Sequence, residues 1–143
     1  MTAPGGDEKP FFQRYEGRES AQIAELLAQE IAPRHGRRDE TPLFIEARDE
    51  SGAPICGMNG LIHWRWLYVR HFWVAPARRT QGVGRALMAE VERLAREKEC
   101  AGIYLDTFDE SAARLYERFG FARCGRIENF PPGATRICLA KGI

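Results

Sequence analysis

The feature that most constrains the fold of this chain is the segment 72–87, in which an apolar strand runs into a basic turn, two glycines and a helix. The strand ends at Val74, and Gly82 and Gly84 lie where the helix begins. The first amides of a helix have no partner inside it, and the helix dipole adds partial positive charge there. Glycine lets the backbone approach an anion closely. This order predicts a site for a di- or polyphosphate.

Two familiar glycine motifs do not fit this junction. A dinucleotide-binding fingerprint requires Gly-x-Gly-x-x-Gly, but Leu87 occupies its third glycine position. A P-loop requires Lys-Ser or Lys-Thr after its second glycine, and no such pair follows Gly84. Three arginines add formal positive charge around the turn: Arg78, Arg79 and Arg85. The alternative is a strand-to-helix turn that uses glycine for structural reasons alone.

Two motifs in this sequence match one enzyme family. Residues 79–84 read Arg-Thr-Gln-Gly-Val-Gly, and with Val74-x-Pro76 before them they resemble the acetyl-CoA-binding motif of the GNAT N-acetyltransferases. Residues 109–121 are similar to the family pattern Asn-x-x-Ala-x-x-Leu-Tyr-x-x-x-Gly-Phe, except that Asp109 stands for its Asn. The motifs occur in the family's order. The resemblance covers the chain from about residue 43 to the C-terminus, and the N-terminal third more weakly.

The resemblance implies that acetyl-CoA is the co-substrate. Its pantetheine arm would lie between two splayed central strands, here 67–74 and 103–107. The amides of Trp73 and Val74 would bind the acetyl carbonyl and the pantetheine, and those of residues 81–85 the pyrophosphate. The residues implied in cofactor binding are Phe72, Trp73, Val74, Arg79, Thr80, Gln81, Gly82, Val83, Gly84, Arg85 and Asp109. The family often has Gly where Thr80 stands, and Asp109 preserves helix capping while its extra charge changes any contact with pantetheine.

The resemblance also implies direct attack of a primary amine on the thioester, with no acyl-enzyme. Tyr116 matches the family's tyrosine near the cofactor sulfur and is the predicted general acid, because a phenol is protonated at neutral pH. The competing interpretation makes Tyr116 a core aromatic, since it belongs to an apolar helical stripe. The sequence does not select the general base from its four candidates, which are Glu46, His63, His71 and Asp106.

Composition argues against several other classes of protein. The chain has 143 residues and a net charge of +1, which disfavours a dedicated nucleic-acid or membrane-surface binder. No apolar run is long enough to span a bilayer. The four cysteines and three histidines show no metal-ligand or disulfide spacing, so a reducing cytoplasm and no metal site are expected. The polar segment 1–10 is unlike a signal peptide and is expected to be a flexible tail.

The pattern along the chain predicts an α/β fold, namely one mixed sheet flanked by helices in a single domain over residues 11–143. Helices are expected after Ser20, ending at Pro33, at 84–98, and from Asp109 or Ser111 to Gly120. Gly57 and Gly60, within the strand predicted at 55–63, suggest a bulge or a close backbone approach there. The predicted strands are 11–15, 43–47, 55–63, 67–74, 103–107, 121–127 and 135–139.

The leading interpretation is a GNAT-like N-acetyltransferase that acts on a small-molecule or peptide amine. A CoA-binding or sensing module of the same fold without catalysis is the main alternative. Nucleotide binding unrelated to CoA is a third, and it requires the two-motif match to be chance. The acceptor amine stays open, and so does a homodimer formed through the late strands.

Overall fold

A computed structural model describes residues 9–143 of the chain, and the predicted tail falls mostly outside these residues. No helix of the described part is long and apolar enough to cross a membrane. A short 3-10 turn, Pro76–Arg78, lies between the third strand and the second helix. The main elements are α1 (Ala21–His35), β1 (Thr41–Arg48), β2 (Pro54–His63), β3 (Trp66–Val74), α2 (Val83–Glu97), β4 (Gly102–Thr107), α3 (Glu110–Arg118), β5 (Ala122–Glu128) and β6 (Thr135–Gly142).

Two expectations for the N-terminal third are wrong. Residues 11–15 form no strand, and Phe11 is 91% exposed, because no sheet edge or apolar surface lies against this run. Pro33 does not end α1, which continues to His35. Proline removes one intrahelical hydrogen bond, but the last turn still closes because Gly36 N–H donates to Ala32 O at 2.8 Å. Ser20 caps the start of α1 as predicted.

The six strands form one mixed sheet in the order β1-β2-β3-β4-β6-β5. Only β3 and β4 run parallel, and the chain between them crosses over through α2. The other neighbouring pairs are antiparallel. The predicted α/β architecture with a mixed central sheet is therefore confirmed.

The parallel pair β3–β4 separates part-way along its length. Its register runs from Trp66–Gly102 to Val69–Leu105 and stops there. At the same level the β2–β3 register jumps from Asn59–His71 to Gly60–Val69, so that Arg70 is an extra residue in β3. Such a bulge bends and twists its strand, which here carries the end of β3 away from β4. The splayed central strands implied by the family resemblance are present in this sheet.

The two faces of the sheet differ in chemistry. Helices α2 and α3 pack on one face, where the buried core lies; it includes Leu67, Val69, Ile103, Leu105, Leu87, Val91, Tyr116, Ile137 and Leu139. Alternation along the strands places Tyr68, Tyr104 and Asp106 on the opposite face. We call this second side the open face. No residue of α1 is buried, so α1 adds nothing to the core.

Gly102 marks the tightest contact in the parallel pair. A Cβ atom there would overlap the indole ring of Trp66 and lie 2.8 Å from Lys141 O. We expect Gly102→Ala to lower the free energy of unfolding by about 1–3 kcal/mol, because the ring and the β6 backbone cannot both move away. Urea denaturation measures this change. The control is Gly142→Ala at the paired position, where the nearest atom would be 4.0 Å away. Equal midpoints for the two variants would contradict the expectation.

Candidate active site

The N-terminus of α2 differs from those of the other two helices because no side chain caps it. Its N-cap, Gly82, has a left-handed φ of +80° and no side chain to accept from the first-turn amides. The other two helices are capped internally: Ser20 Oγ accepts from Ile23 N, and Asp109 Oδ1 from Ser111 N. The first amides of α2 therefore have no side-chain cap and are available to an external oxygen.

The loop 79–82 before α2 is held in shape by its own side chains. Arg79 Nε donates to Val74 O at 3.0 Å, and Gln81 Nε2 donates to Ala77 O at 3.2 Å. Thr80 has a φ of +64°, a left-handed conformation that a β-branched residue rarely adopts. Its hydroxyl donates to Arg79 O at 2.6 Å. This strain at Thr80 explains why glycine suits the position.

The end of β3 offers backbone amides to the space between the splayed strands. Ala75 N–H donates to Ile55 O of β2 at 2.8 Å. Because amides alternate in direction along an antiparallel strand, the N–H of Trp73 also points toward β2, and those of Phe72 and Val74 point away from it. Of the two amides expected to bind the acetyl group and the pantetheine, that of Val74 thus points away from β2 together with that of Phe72, and that of Trp73 points toward β2.

A cavity of about 380 Å³, which we call the gap cavity, lies where β3 and β4 part. Tyr116 of α3 lines it and packs edge-on against Phe72, with ring centroids 5.8 Å apart. Burial raises the pKa of the Tyr116 phenol to about 12, so the phenol keeps its proton at neutral pH. The gap cavity is lined by Tyr68, Arg70, His71, Phe72, Asp106, Thr107, Phe108, Tyr116 and Arg136.

The four candidate bases are in different environments. Asp106 lines the gap cavity, but both of its oxygens are engaged: Arg136 Nη1 donates to Oδ1 at 2.7 Å and Tyr68 Oη to Oδ2 at 2.8 Å. That hydrogen bond and, above all, burial raise the pKa of Tyr68 to about 12. His71 lines the same cavity. Asp106 and His71 are thus brought to the gap.

The other two candidate bases are held elsewhere. His63 lies opposite Trp66, at the start of β3, with its Nε2 2.8 Å from Tyr104 Oη. Burial lowers the pKa of His63, which keeps the imidazole neutral. Glu46 accepts from the Arg48 guanidinium, with Nε 3.0 Å from Oε1. Neither side chain lines the gap cavity.

Sequence reasoning did not foresee the arginine that holds Asp106. Arg136 lies on β6, 30 residues from Asp106, and its guanidinium carbon is 4.3 Å from the ring centre of Phe130 and 5.2 Å from that of Phe108. The sequence shows no local pattern that would pair an acidic residue at the end of β4 with an arginine on β6. The register Asp106–Cys138 makes them neighbours.

Two further predicted cofactor residues take defined positions. Asp109 is the N-cap of α3, and hydrogen bonds from Ser111 and nearby amides lower the pKa of its carboxyl group. Its expected capping role is confirmed. Arg85 lies over the ring of Phe119, with the guanidinium carbon 5.2 Å from the ring centre. Val83 packs against the edge of the core. Among residues 9–143, no three His, Cys, Asp or Glu side chains gather as a metal site.

Comparison with known proteins decides which family this arrangement represents. The family model described as the acetyltransferase (GNAT) family matches residues 7–121. The chain belongs to the GNAT family. Its relatives include acetyltransferase Atu2258 of Agrobacterium fabrum, 35% identical over 116 residues, which cover 81% of this chain and 84% of that one. Blasticidin-S acetyltransferase of Streptomyces morookaense is 37% identical over 95 residues, covering 66% of this chain and 70% of the relative.

Solved structures support the GNAT fold over most of the chain. A crystal structure of an Agrobacterium tumefaciens protein assigned as an acetyltransferase aligns with a TM-score of 0.78 and 30% identity, covering 93% of this chain and all of that one. A Bacillus anthracis protein assigned as a streptothricin acetyltransferase, solved in complex with acetyl coenzyme A, aligns with a TM-score of 0.64. It is 23% identical and covers 71% of this chain and 62% of its own length, so it supports the fold alone.

Proposed function

We propose that this GNAT protein transfers an acetyl group from acetyl-CoA to a primary amine. The observation that carries the proposal is the alignment of three features along one path. The N-terminus of α2, which has no side-chain cap, lies at one end, the amides of Phe72 and Val74 face the gap, and Tyr116 lines the gap cavity. Acetyl-CoA bound along this path would have its pyrophosphate at the start of α2, its pantetheine beside the β3 backbone and its thioester near Tyr116.

The residues fit the chemistry of CoA. Amides of residues 81–85 receive the pyrophosphate, helped by the partial charge of the helix terminus. Arg79 contributes mainly by holding the loop, since its Nε is committed to Val74 O. The start of α2 lies against the end of β3, because a Cβ atom at Gly84 would be 3.7 Å from Val74 Cγ2. Asp109 orients α3 and thereby Tyr116.

Tyr116 protonates the thiolate as it leaves. Because the pKa of its phenol is raised, the hydroxyl stays protonated throughout the neutral pH range. The acceptor amine attacks the thioester directly. None of the four cysteines, all within the described residues, lines the gap cavity, which supports transfer without an acyl-enzyme on sulfur. Residues 11–143 act as one catalytic domain in the cytoplasm.

The acceptor we propose to examine first is a small-molecule amine. A relative at 37% identity is named for blasticidin S, and the open face presents aromatic and charged side chains beside the gap. A peptide amine is the second class. Homodimer formation through β5 and β6 stays a prediction.

Isothermal titration calorimetry with acetyl-CoA tests the proposal, followed by an amine screen that measures release of free thiol. We expect saturable acetyl-CoA binding and turnover with at least one amine from a panel containing blasticidin S, other small polar amines and a free peptide N-terminus. Binding without turnover across the panel would favour the CoA-sensing alternative. Absence of acetyl-CoA binding would overturn the proposal, and binding of ATP in its place would favour an unrelated nucleotide site.

A further inference from the structure

His71 lies where a route from solvent meets the gap cavity. A groove of about 750 Å³ crosses β1, β2 and β3, and Tyr68, Arg70 and His71 line both this groove and the gap cavity. Tyr116 lines the gap cavity but not the groove. An amine that enters through the groove therefore passes the imidazole before it reaches the position opposite the phenol.

The carboxylates around this route are each bound by an arginine. Asp106 accepts from Arg136, as described above, and Glu46 from Arg48. Glu40, which lines the groove, has its Oε1 2.6 Å from Arg38 Nε. Each of these carboxylates therefore already has a guanidinium as its partner. The charged groups that share a cavity with His71 are Glu40, Glu46, Arg48, Arg70, Asp106 and Arg136.

His71 itself has a neutral partner. Its Nδ1 lies 3.1 Å from Nδ2 of Asn59, directly across the β2–β3 pair at the bulge. An asparagine amide presents either its NH₂ or its carbonyl to a ring, because a half-turn exchanges the two. With the carbonyl toward Nδ1–H, the lone pair lies on Nε2, and the same carbonyl accepts from the ring once it is charged. Asn59 can thus hydrogen-bond to both the neutral and the charged form of the imidazole.

We propose that His71 is the general base of the acetyl transfer and that Asn59 positions it; this inference rests on the proposed function. His71 Nε2 takes one proton from the acceptor ammonium and later releases it to solvent. The freed amine forms a C–N bond with the thioester carbonyl carbon, and the C–S bond breaks with its electron pair on sulfur. Tyr116 gives its phenol proton to that sulfur. The second proton lost by the nitrogen restores the phenol through solvent in the cavity.

The test is the pH profile of kcat/KM, measured from about pH 5.5 to 9.5 with an amine that the wild type acetylates. Histidine is the side chain whose charge ordinarily changes between about pH 5 and 8. The wild type should lose activity on the acid side as the imidazole becomes protonated. For His71→Gln we expect a roughly 100-fold lower kcat/KM at pH 7. Its activity should approach the wild-type value at high pH, where the amine is already free.

A positioning role for Asn59 makes a separate prediction. Asn59→Asp places a carboxylate beside the ring and stabilises the imidazolium, so the acid limb should move to higher pH. A merely structural asparagine would change activity without moving that limb. His35→Gln, at the exposed end of α1, is the control and should leave the profile unchanged.

The outcomes separate this inference from the proposed function. Wild-type turnover together with an unchanged profile in His71→Gln would overturn His71 as the base and leave the acetyltransferase proposal intact. Failure of the wild type to bind acetyl-CoA would overturn both. Acetyl-CoA affinity of His71→Gln, measured by calorimetry, should equal that of the wild type; a variant that binds normally yet loses activity at pH 7 supports the inference.

Discussion

The double variant Gly82→Asp/Gly84→Asp is expected to lose acetyl-CoA binding by roughly 100-fold or more, which corresponds to about 2.8 kcal/mol. Each new carboxylate repels the negatively charged pyrophosphate at the start of α2. A Cβ atom at Gly82 would meet no atom within 4 Å, and aspartate tolerates a left-handed φ better than most residues, so the fold should survive while the ligand loses its site. Isothermal titration calorimetry measures the affinity, and thermal unfolding checks the fold.

Two controls separate charge from shape. Gly52→Asp introduces the same charge at another glycine with a left-handed φ, +86°, and open space around it, but in the β1–β2 turn. It should bind acetyl-CoA normally. Gly84→Ala adds a methyl group only 3.7 Å from Val74 Cγ2, an ordinary contact, and should cost little affinity. Retention of wild-type affinity by the double aspartate variant would place the cofactor phosphates away from α2.

Tyr116→Phe is expected to lower kcat by roughly 100-fold while changing the acetyl-CoA Kd by less than about twofold. The ring packs against Phe72, Phe119 and Phe121, and these contacts persist in phenylalanine. Among the described residues the hydroxyl has no hydrogen-bond partner that the substitution would strand. The loss should therefore fall on proton transfer to sulfur. Steady-state thiol release and calorimetry measure the two quantities.

The pKa of Tyr116 adds a second signature. Because burial places it at about 12, wild-type activity should show no decline from ionisation of this phenol below about pH 10. The matched control is Tyr104→Phe, which removes a hydroxyl bonded to His63 away from the gap cavity and should keep turnover within about twofold. Undiminished turnover of Tyr116→Phe would assign the tyrosine to packing alone.

Local sequence patterns were sufficient to predict the helices and strands whose residues lie close together along the chain. Apolar periodicity located α2, α3 and six of the seven predicted strands, although every residue of β5 is exposed. The strand predicted at 11–15 does not form, because its apolar residues have no apolar surface to pack against. Proline chemistry placed the end of α1 too early, since a single lost hydrogen bond did not stop the last turn.

The sequence by itself determined the family, the α/β fold, the glycine-containing start of α2 and the place of Tyr116 in the second motif, since each of these depends on residues close together along the chain. Only the tertiary structure decided which side chains meet at the gap. Arg136 reaches Asp106 through the β4–β6 register, and Asn59 reaches His71 through a bulge. The pairing of distant strands depends on the whole sheet. Local residue spacing therefore could not show that Asp106 is bound by an arginine while His71 contacts an asparagine.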